Sequence, residues 1–201
     1  MIIIGICGGS GCGKSTLSGV LRKKMLDLNA ICIEQDSYYK DRSHYKNKRL
    51  DRINYDAPYA LDIKLMVSHI KKLKIGKSIF KPVYDFKTHS RLTRKEPVFP
   101  TAVLILEGIH VFSDKRLRDI IDVKIFLDID DDLRLSRRIL RDVQKRNRTV
   151  HSVINQWFGS VQPMFEKYIK VSKKYADIVF NKDPTEIEIR KVINRIKGAG
   201  R

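Results

Sequence analysis

Cysteine is scarce in this chain. Cys7, Cys12 and Cys32 are the only three in 201 residues; their odd number and the absence of any C-x-x-C spacing exclude a disulfide framework and a structural zinc site, and fit free thiols in a reducing cytosol. Long hydrophobic runs are missing too. No apolar stretch approaches the roughly 20 residues needed to span a bilayer, so no membrane association is expected. There is no internal repeat, low-complexity tract or linker-like segment, so one domain over residues 1–201 is expected, and 42% apolar residues suffice for a core. The N-terminus lacks a basic n-region, and its apolar opening runs straight into a glycine-rich turn that cleavage would destroy; a cytoplasmic rather than exported protein is expected. Acidic residues are few as well, with 23 Asp and Glu against 41 Lys and Arg, a formal charge of +18. Such a balance raises a nucleic-acid partner as one reading. The distribution argues against giving it first place: lysines are scattered through Lys71-Lys72-Lys74-Lys77 and Lys170-Lys173-Lys174 as on solvated helix faces, while arginines concentrate between Arg134 and Arg148.

What is present is most specific at the start. Ile2-Ile3-Ile4-Gly5-Ile6-Cys7 reads as a buried strand, and Gly8-Gly9-Ser10-Gly11-Cys12-Gly13-Lys14-Ser15-Thr16 follows it directly. This is a G-x-x-x-x-G-K-S phosphate loop between a strand and an amphipathic helix carrying Leu17, Val20, Leu21 and Met25. Its glycines let backbone N–H groups converge on phosphates, Lys14 reaches the outer phosphates, and the Ser15 hydroxyl is offered to Mg²⁺ at the positive end of the helix.

Downstream, the pattern predicts strands near 30–35, 79–84, 102–106, 123–128 and 177–180. Helices are expected near 14–27, after residue 60 and carrying Leu65, Met66, His69, Ile70 and Leu73 to a stop at Gly76, and near 114–120, 131–146, 150–173 and 185–197. Residues 37–60 and 85–100 read as irregular. Alternating strands and helices, with strands apolar on both faces, predict an α/β fold: a parallel five-stranded core sheet with helices on both faces, a small hairpin or loop region for substrate and a helical lid. Ligands then bind at the carboxyl edge of the sheet.

Asp36 and Glu107 end two strands on that edge. A phosphoryl acceptor needs a carboxylate to orient its hydroxyl and take the proton, a role read onto Asp36; Mg²⁺ needs an acidic partner beside Ser15, a role read onto Glu107. Asp36 can alternatively be a turn cap. On a helical wheel Leu135, Ile139, Leu140 and Val143 gather opposite Arg134, Arg137, Arg138, Arg141 and Lys145. The apolar side is expected to pack, leaving the cationic side either solvated or closed as a lid over phosphates. Tyr84, Phe86 and His89 have the composition to hold a flat heterocycle, and Asp56 the carboxylate to hold ribose hydroxyls, although a strand face and a turn explain them equally.

Together these segments resemble the uridine–cytidine kinases. The resemblance spans nearly the whole chain and rests on G-G-S-G-C-G-K-S-T, Q-D-S-Y-Y at 35–39, N-Y-D-A-P at 54–58, P-V-Y-D-F-K-T-H-S-R at 82–91, L-E-G-I-H at 106–110, R-L-S-R-R-I-L-R-D at 134–142 and K-K-Y-A-D at 173–177. It implies phosphorylation of uridine and cytidine at the 5′-hydroxyl with ATP, or GTP, and Mg²⁺, giving UMP and CMP for pyrimidine salvage. Asp36 is then the base, Asp56 the ribose anchor, Arg148 and Gln156 further substrate contacts, and Tyr84, Phe86 and His89 the surroundings of the pyrimidine. Arg138 and Arg141 fall on the lid facing substrate and phosphates. A homotetramer and restraint by UTP or CTP are implied as well. The chain departs from the pattern in the basic stretch 41–49, at Trp157, where tyrosine is common, and at Asn181-Lys182-Asp183-Pro184, onto which no adenine contact maps. Two other readings stay open: a phosphoribulokinase-like kinase sharing Asp36 and the phosphate loop, and a nucleic-acid-stimulated ATPase motivated by the charge.

Overall fold

The computed structural model describes residues 1–45, 53–86 and 88–199; the basic stretch at 46–49 and Lys87 of the 82–91 motif lie outside the described residues. Five parallel strands form the central sheet: β1 (Ile2–Gly8), β2 (Ile31–Glu34), β5 (Val103–Glu107), β6 (Val123–Leu127) and β7 (Ile178–Phe180), in the order β2-β5-β1-β6-β7. Residues of successive register face opposite ways, so β1 feeds two cores. Ile3 and Cys7 join Leu104, Leu106, Phe126 and Phe112 on one face, where Met66 and Ile70 of α2 (Ile63–Lys74) pack. Ile4 and Ile6 join Ile105 and Ile125 on the other, under Leu17 and Leu21 of α1 (Lys14–Lys24) and Ile193 and Ile196 of the last helix, which spans Glu186–Ala199. Helices cover both faces, as the apolar strands require.

Residues 90–98, read from sequence as loop, form a strand. β4 (Ser90–Val98) pairs antiparallel with β3 (Ile79–Asp85), Ile79 opposite Val98 and Asp85 opposite Ser90. Its sequence S-R-L-T-R-K-E-P-V lacks alternation because the hairpin stands off the core with four successive residues, Leu92–Lys95, exposed. Polar ties replace a buried face. Arg91 donates from Nε to Tyr39 O (2.8 Å) and from Nη2 to Tyr38 O (3.1 Å), and pairs with Asp62 at 3.3 Å. Lys81 Nζ donates to Ser37 Oγ at 3.1 Å. The hairpin is thereby fixed to the segment that follows β2.

α3 (Lys115–Arg118) is followed, after β6, by α4 (Asp131–Arg146), whose bounds match the sequence reading but whose most buried side chains come from the cationic side. Arg134, Arg138 and Asp142 are buried, whereas of the expected packing side Leu140 and Val143 are exposed and Leu135 and Ile139 half-buried. The wheel separated the faces correctly; partners on other elements decide which one turns inward, because a charge is tolerated inside when it is paired.

The segment 150–175 is helical but not uniformly α. α5 (Val150–Gln156) passes through a π turn (Trp157–Val161), the short α6 (Gln162–Met164), a second π turn (Phe165–Ile169) and a 3₁₀ turn to Tyr175. Val153, Trp157, Val161, Phe165 and Ile169 are all buried. An α-helix rotates such a four-residue repeat by about 40° per step off its face. The wider π turns cancel that drift and keep one face on the core.

Candidate active site

The phosphate loop leaves β1 at Gly8 and enters α1 through Gly13, which has φ 92° and supplies the helix's N-cap. Lys14 Nζ folds back over the loop, donating to Gly8 O (3.0 Å) and Gly9 O (2.9 Å). Cys12 is buried within the loop, and Ser15 and Thr16 stand exposed on the first turn of α1. α4 closes the outer side. A Cβ at Gly9 would lie 1.9 Å from Arg134 Nη1, and one at Gly11, where φ is 82°, only 2.2 Å from Arg134 O. Gly11→Ala therefore meets an immovable backbone atom in a left-handed conformation, and should lower stability by roughly 2–4 kcal/mol, read as a lower urea midpoint. Arg134 itself is fully buried, with Nε donating to Ile129 O at 3.1 Å, Nη2 paired with Asp131, and the guanidinium centred 3.8 Å from the Phe165 ring.

Parallel register brings the acids to this loop. Glu107 lies opposite both Ile6 of β1 and Glu34 of β2, and Asp36 follows two residues after Glu34. Ser15 Oγ donates to Glu107 Oε2 at 3.1 Å. Burial raises the Glu107 pKa, opposed by Lys14 and by that hydrogen bond. Asp36 sits half-buried in the turn Gln35–Tyr38, whose capping position is Glu34 and carries no side-chain cap, so the turn-cap reading of Asp36 is not met. Burial raises its pKa as well, opposed by the charges of Lys14, Arg146 and Arg141. A triphosphate with its divalent ion fits these groups: a loop whose Gly8, Gly9 and Gly11 leave no room for a side chain, a lysine presently spent on the loop's own carbonyls, and a hydroxyl–carboxylate pair beside it.

One buried carboxylate organises the arginines. Asp142 is within 3.6 Å of Arg138, 2.8 Å of Arg141, 3.4 Å of Arg146 and 3.8 Å of Arg148. From there Arg138 reaches the loop, Nη1 donating to Ser10 Oγ at 2.7 Å, and Nη2 to Gln156 Oε1 at 2.9 Å. Arg148 also donates to Gln156 Oε1, and to Ser152. Gln156 Nε2 donates to Asp56 Oδ2 at 3.4 Å, where Ser160 Oγ arrives at 2.7 Å. A continuous polar chain thus links phosphate loop to Asp56. Beside it rings converge: Tyr39 lies 5.3 Å from Tyr84 and 6.4 Å from Phe86, and Tyr55 stacks on His89 at 4.5 Å and 18°. Burial and the Arg148 charge lower the His89 pKa, keeping its imidazole neutral at pH 7. The hydroxyls of Tyr55 and Tyr84 are buried without a hydrogen-bond partner among the described residues.

The candidate nucleotide, metal, base and nucleoside residues read from sequence lie on this edge or in this network, whereas Arg137 of the cationic side pairs with Asp183 at 2.6 Å and Lys145 is exposed. Arg134, Asp142, Arg146, Ser160, Tyr39 and Tyr55 were not singled out as site residues, though Arg134 and Asp142 are spaced at i and i+8 on one helix face.

A phosphate loop opening the first helix of a parallel sheet, with a carboxylate at each neighbouring strand end and an arginine-bearing helix over the loop, defines a phosphate-loop kinase. Solved structures agree on the fold, among them phosphoribulokinase from Rhodobacter spheroides, with a TM-score of 0.67 at 19% identity over 90% of this chain and 69% of that one. The phosphoribulokinase/uridine kinase family matches residues 3–187, and the chain belongs to that family. It is 44% identical over 196 residues to a uridine kinase of Clostridium novyi, covering 95% of this chain and 94% of that protein. It is 47% identical over 178 residues to a uridine kinase of Streptococcus pneumoniae, covering 89% and 84%.

Proposed function

We propose that this kinase transfers the γ-phosphoryl group of ATP to the 5′-hydroxyl of uridine and cytidine, yielding UMP and CMP for pyrimidine salvage in the cytoplasm, as a homo-oligomer. The observation that carries the reading is Asp56: a buried carboxylate, gripped at one oxygen by Ser160 and Gln156, beside a cluster of aromatic rings. Paired ribose hydroxyls suit the carboxylate, and a flat base suits the rings. A sugar phosphate would use neither feature as well, and relatives named as uridine kinases support the same choice.

In this reading Asp56 accepts from the ribose hydroxyls, and Arg148 and Gln156 flank it. Tyr84 and Phe86 pack on the base, and neutral His89 meets its edge. Asp36 orients the 5′-hydroxyl and takes its proton as the oxygen attacks. Lys14, Arg138 and Arg141 hold donors where charge builds on the transferring group, and the closed α4 excludes water. Mg²⁺, held by Ser15 and Glu107 when bound, neutralises phosphate charge.

Since a neutral imidazole donates from one nitrogen and accepts at the other, both uridine and cytidine are accepted. His89→Ala should weaken both nucleosides by about 1–3 kcal/mol, seen as a raised KM for each, because a buried edge group loses its partner. Unchanged KM for both would move His89 to a structural role, as a residue needed at φ 52° rather than for contact.

A further inference from the structure

Outside the groups assigned so far, one fully buried titratable side chain touches the acceptor machinery from behind. His110 is 0% exposed and lies just beyond the end of β5. Its backbone N donates to Gln35 Oε1 at 2.8 Å, and Gln35 immediately precedes Asp36. Its ring Nε2 is 2.7 Å from Asp56 O, and its Nδ1 is 3.0 Å from Ser113 Oγ. A carbonyl only accepts, so Nε2 carries the proton, Nδ1 is the acceptor, and the Ser113 hydroxyl donates to it. Burial pushes the imidazole pKa down to about 4, so this single tautomer persists through the neutral range.

We propose that His110 is a positioning residue that fixes the spacing of the two acceptor-side carboxylates, holding Asp56 through its ring and the Gln35–Asp36 turn through its backbone. This rests on the nucleoside kinase reading given above. The neighbourhood leaves little slack. A Cβ at Gly108 would lie 2.4 Å from Gln35 Oε1, so the turn after β5 is packed directly against the Gln35 side chain. His110 also meets Tyr168 edge-on at 6.3 Å, which closes the remaining side of the ring. The Asp56 carbonyl takes a buried hydrogen bond from Nε2–H. Losing that donor leaves a buried acceptor unpaired in the turn that Ala57 N–H closes on Asn54 O.

His110→Leu should raise the KM for uridine by about tenfold or more while leaving the KM for ATP within about twofold, because the ring's hydrogen bonds run to Asp56 and Ser113 and not to the phosphate loop. His110→Gln, whose amide N–H stands near the place of Nε2–H, should return to within about threefold of wild type. Amide hydrogen exchange, which needs no turnover, should be faster in residues 53–61 of His110→Leu and unchanged in residues 8–16. If His110→Leu fails to fold, Ser113→Ala serves instead: releasing the tautomer should raise the uridine KM about two- to threefold with the ATP KM constant. Equal rises in both KM values, wild-type exchange in 53–61, or a Gln variant no better than Leu would each overturn the proposal. A wild type that phosphorylates no nucleoside would fail the functional reading instead, while the exchange experiment still tests the positioning.

Discussion

Asp36→Asn should slow phosphoryl transfer by a factor on the order of 10² to 10⁴ while nucleotide binding is retained, since the amide can still orient a hydroxyl but cannot take its proton. The pH dependence follows from the raised pKa of this carboxyl, in which burial outweighs Lys14, Arg146 and Arg141. The base form must be ionised, so kcat/KM should rise with pH through a pKa above the ordinary carboxylate value, and the variant should lose that limb. Stability should move the other way. A carboxyl with a raised folded-state pKa binds its proton more tightly folded than unfolded, so above that pKa its ionised form works against folding. The Asn variant should then melt at or above the wild-type temperature at pH 7. Near-normal turnover in the folded variant would remove Asp36 from the chemistry.

The second large effect concerns Arg138. Its guanidinium spans from Ser10 of the phosphate loop to Gln156, and from there to Asp56, so it bridges the donor and acceptor halves of the site. Arg138→Ala should cut turnover by more than about tenfold, because a donor that strengthens as charge develops is lost. Asp142 keeps Arg141, Arg146 and Arg148 as partners, so the helix should remain in place. Circular dichroism unchanged with kcat reduced separates this from unfolding; unchanged kcat would make the bridge purely structural. Affinity for polyanions should barely change in either case, since most of the 41 Lys and Arg lie elsewhere.

The elements that local sequence encodes were legible. The phosphate loop, the strand ends carrying Asp36 and Glu107, and the bounds of α4 follow from glycine placement and periodicity alone. The direction in which α4 faces does not, because Leu135, Ile139, Leu140 and Val143 look like a core stripe until Ser10, Gln156 and the Phe165 ring are known to receive the arginines. β4 was hidden for a related reason: its order comes from Arg91 and Lys81 reaching the 37–39 segment, ties between residues some 50 apart in sequence that no window reveals. The helix expected near 150–173 is present, but the four-residue spacing of Val153-Trp157-Val161-Phe165-Ile169 drifts off one face of an α-helix, and the π turns reconcile it. At the site, the residues read from strand ends and motifs converge, whereas Asp142 and His110 act through other side chains and carry no signature of their own.

The central claim is that a nucleoside accepts the phosphoryl group in the space between Asp36 and Asp56. The most direct measurement follows ADP release by wild type with ATP and Mg²⁺ across a panel of nucleosides and sugar phosphates, alongside a salt titration of RNA binding. Uridine- and cytidine-dependent release, with little response to sugar phosphates and only weak, salt-sensitive RNA binding, is the expected result. Release driven by a sugar phosphate alone, or strong RNA binding near physiological salt with no nucleoside phosphorylated, would contradict it.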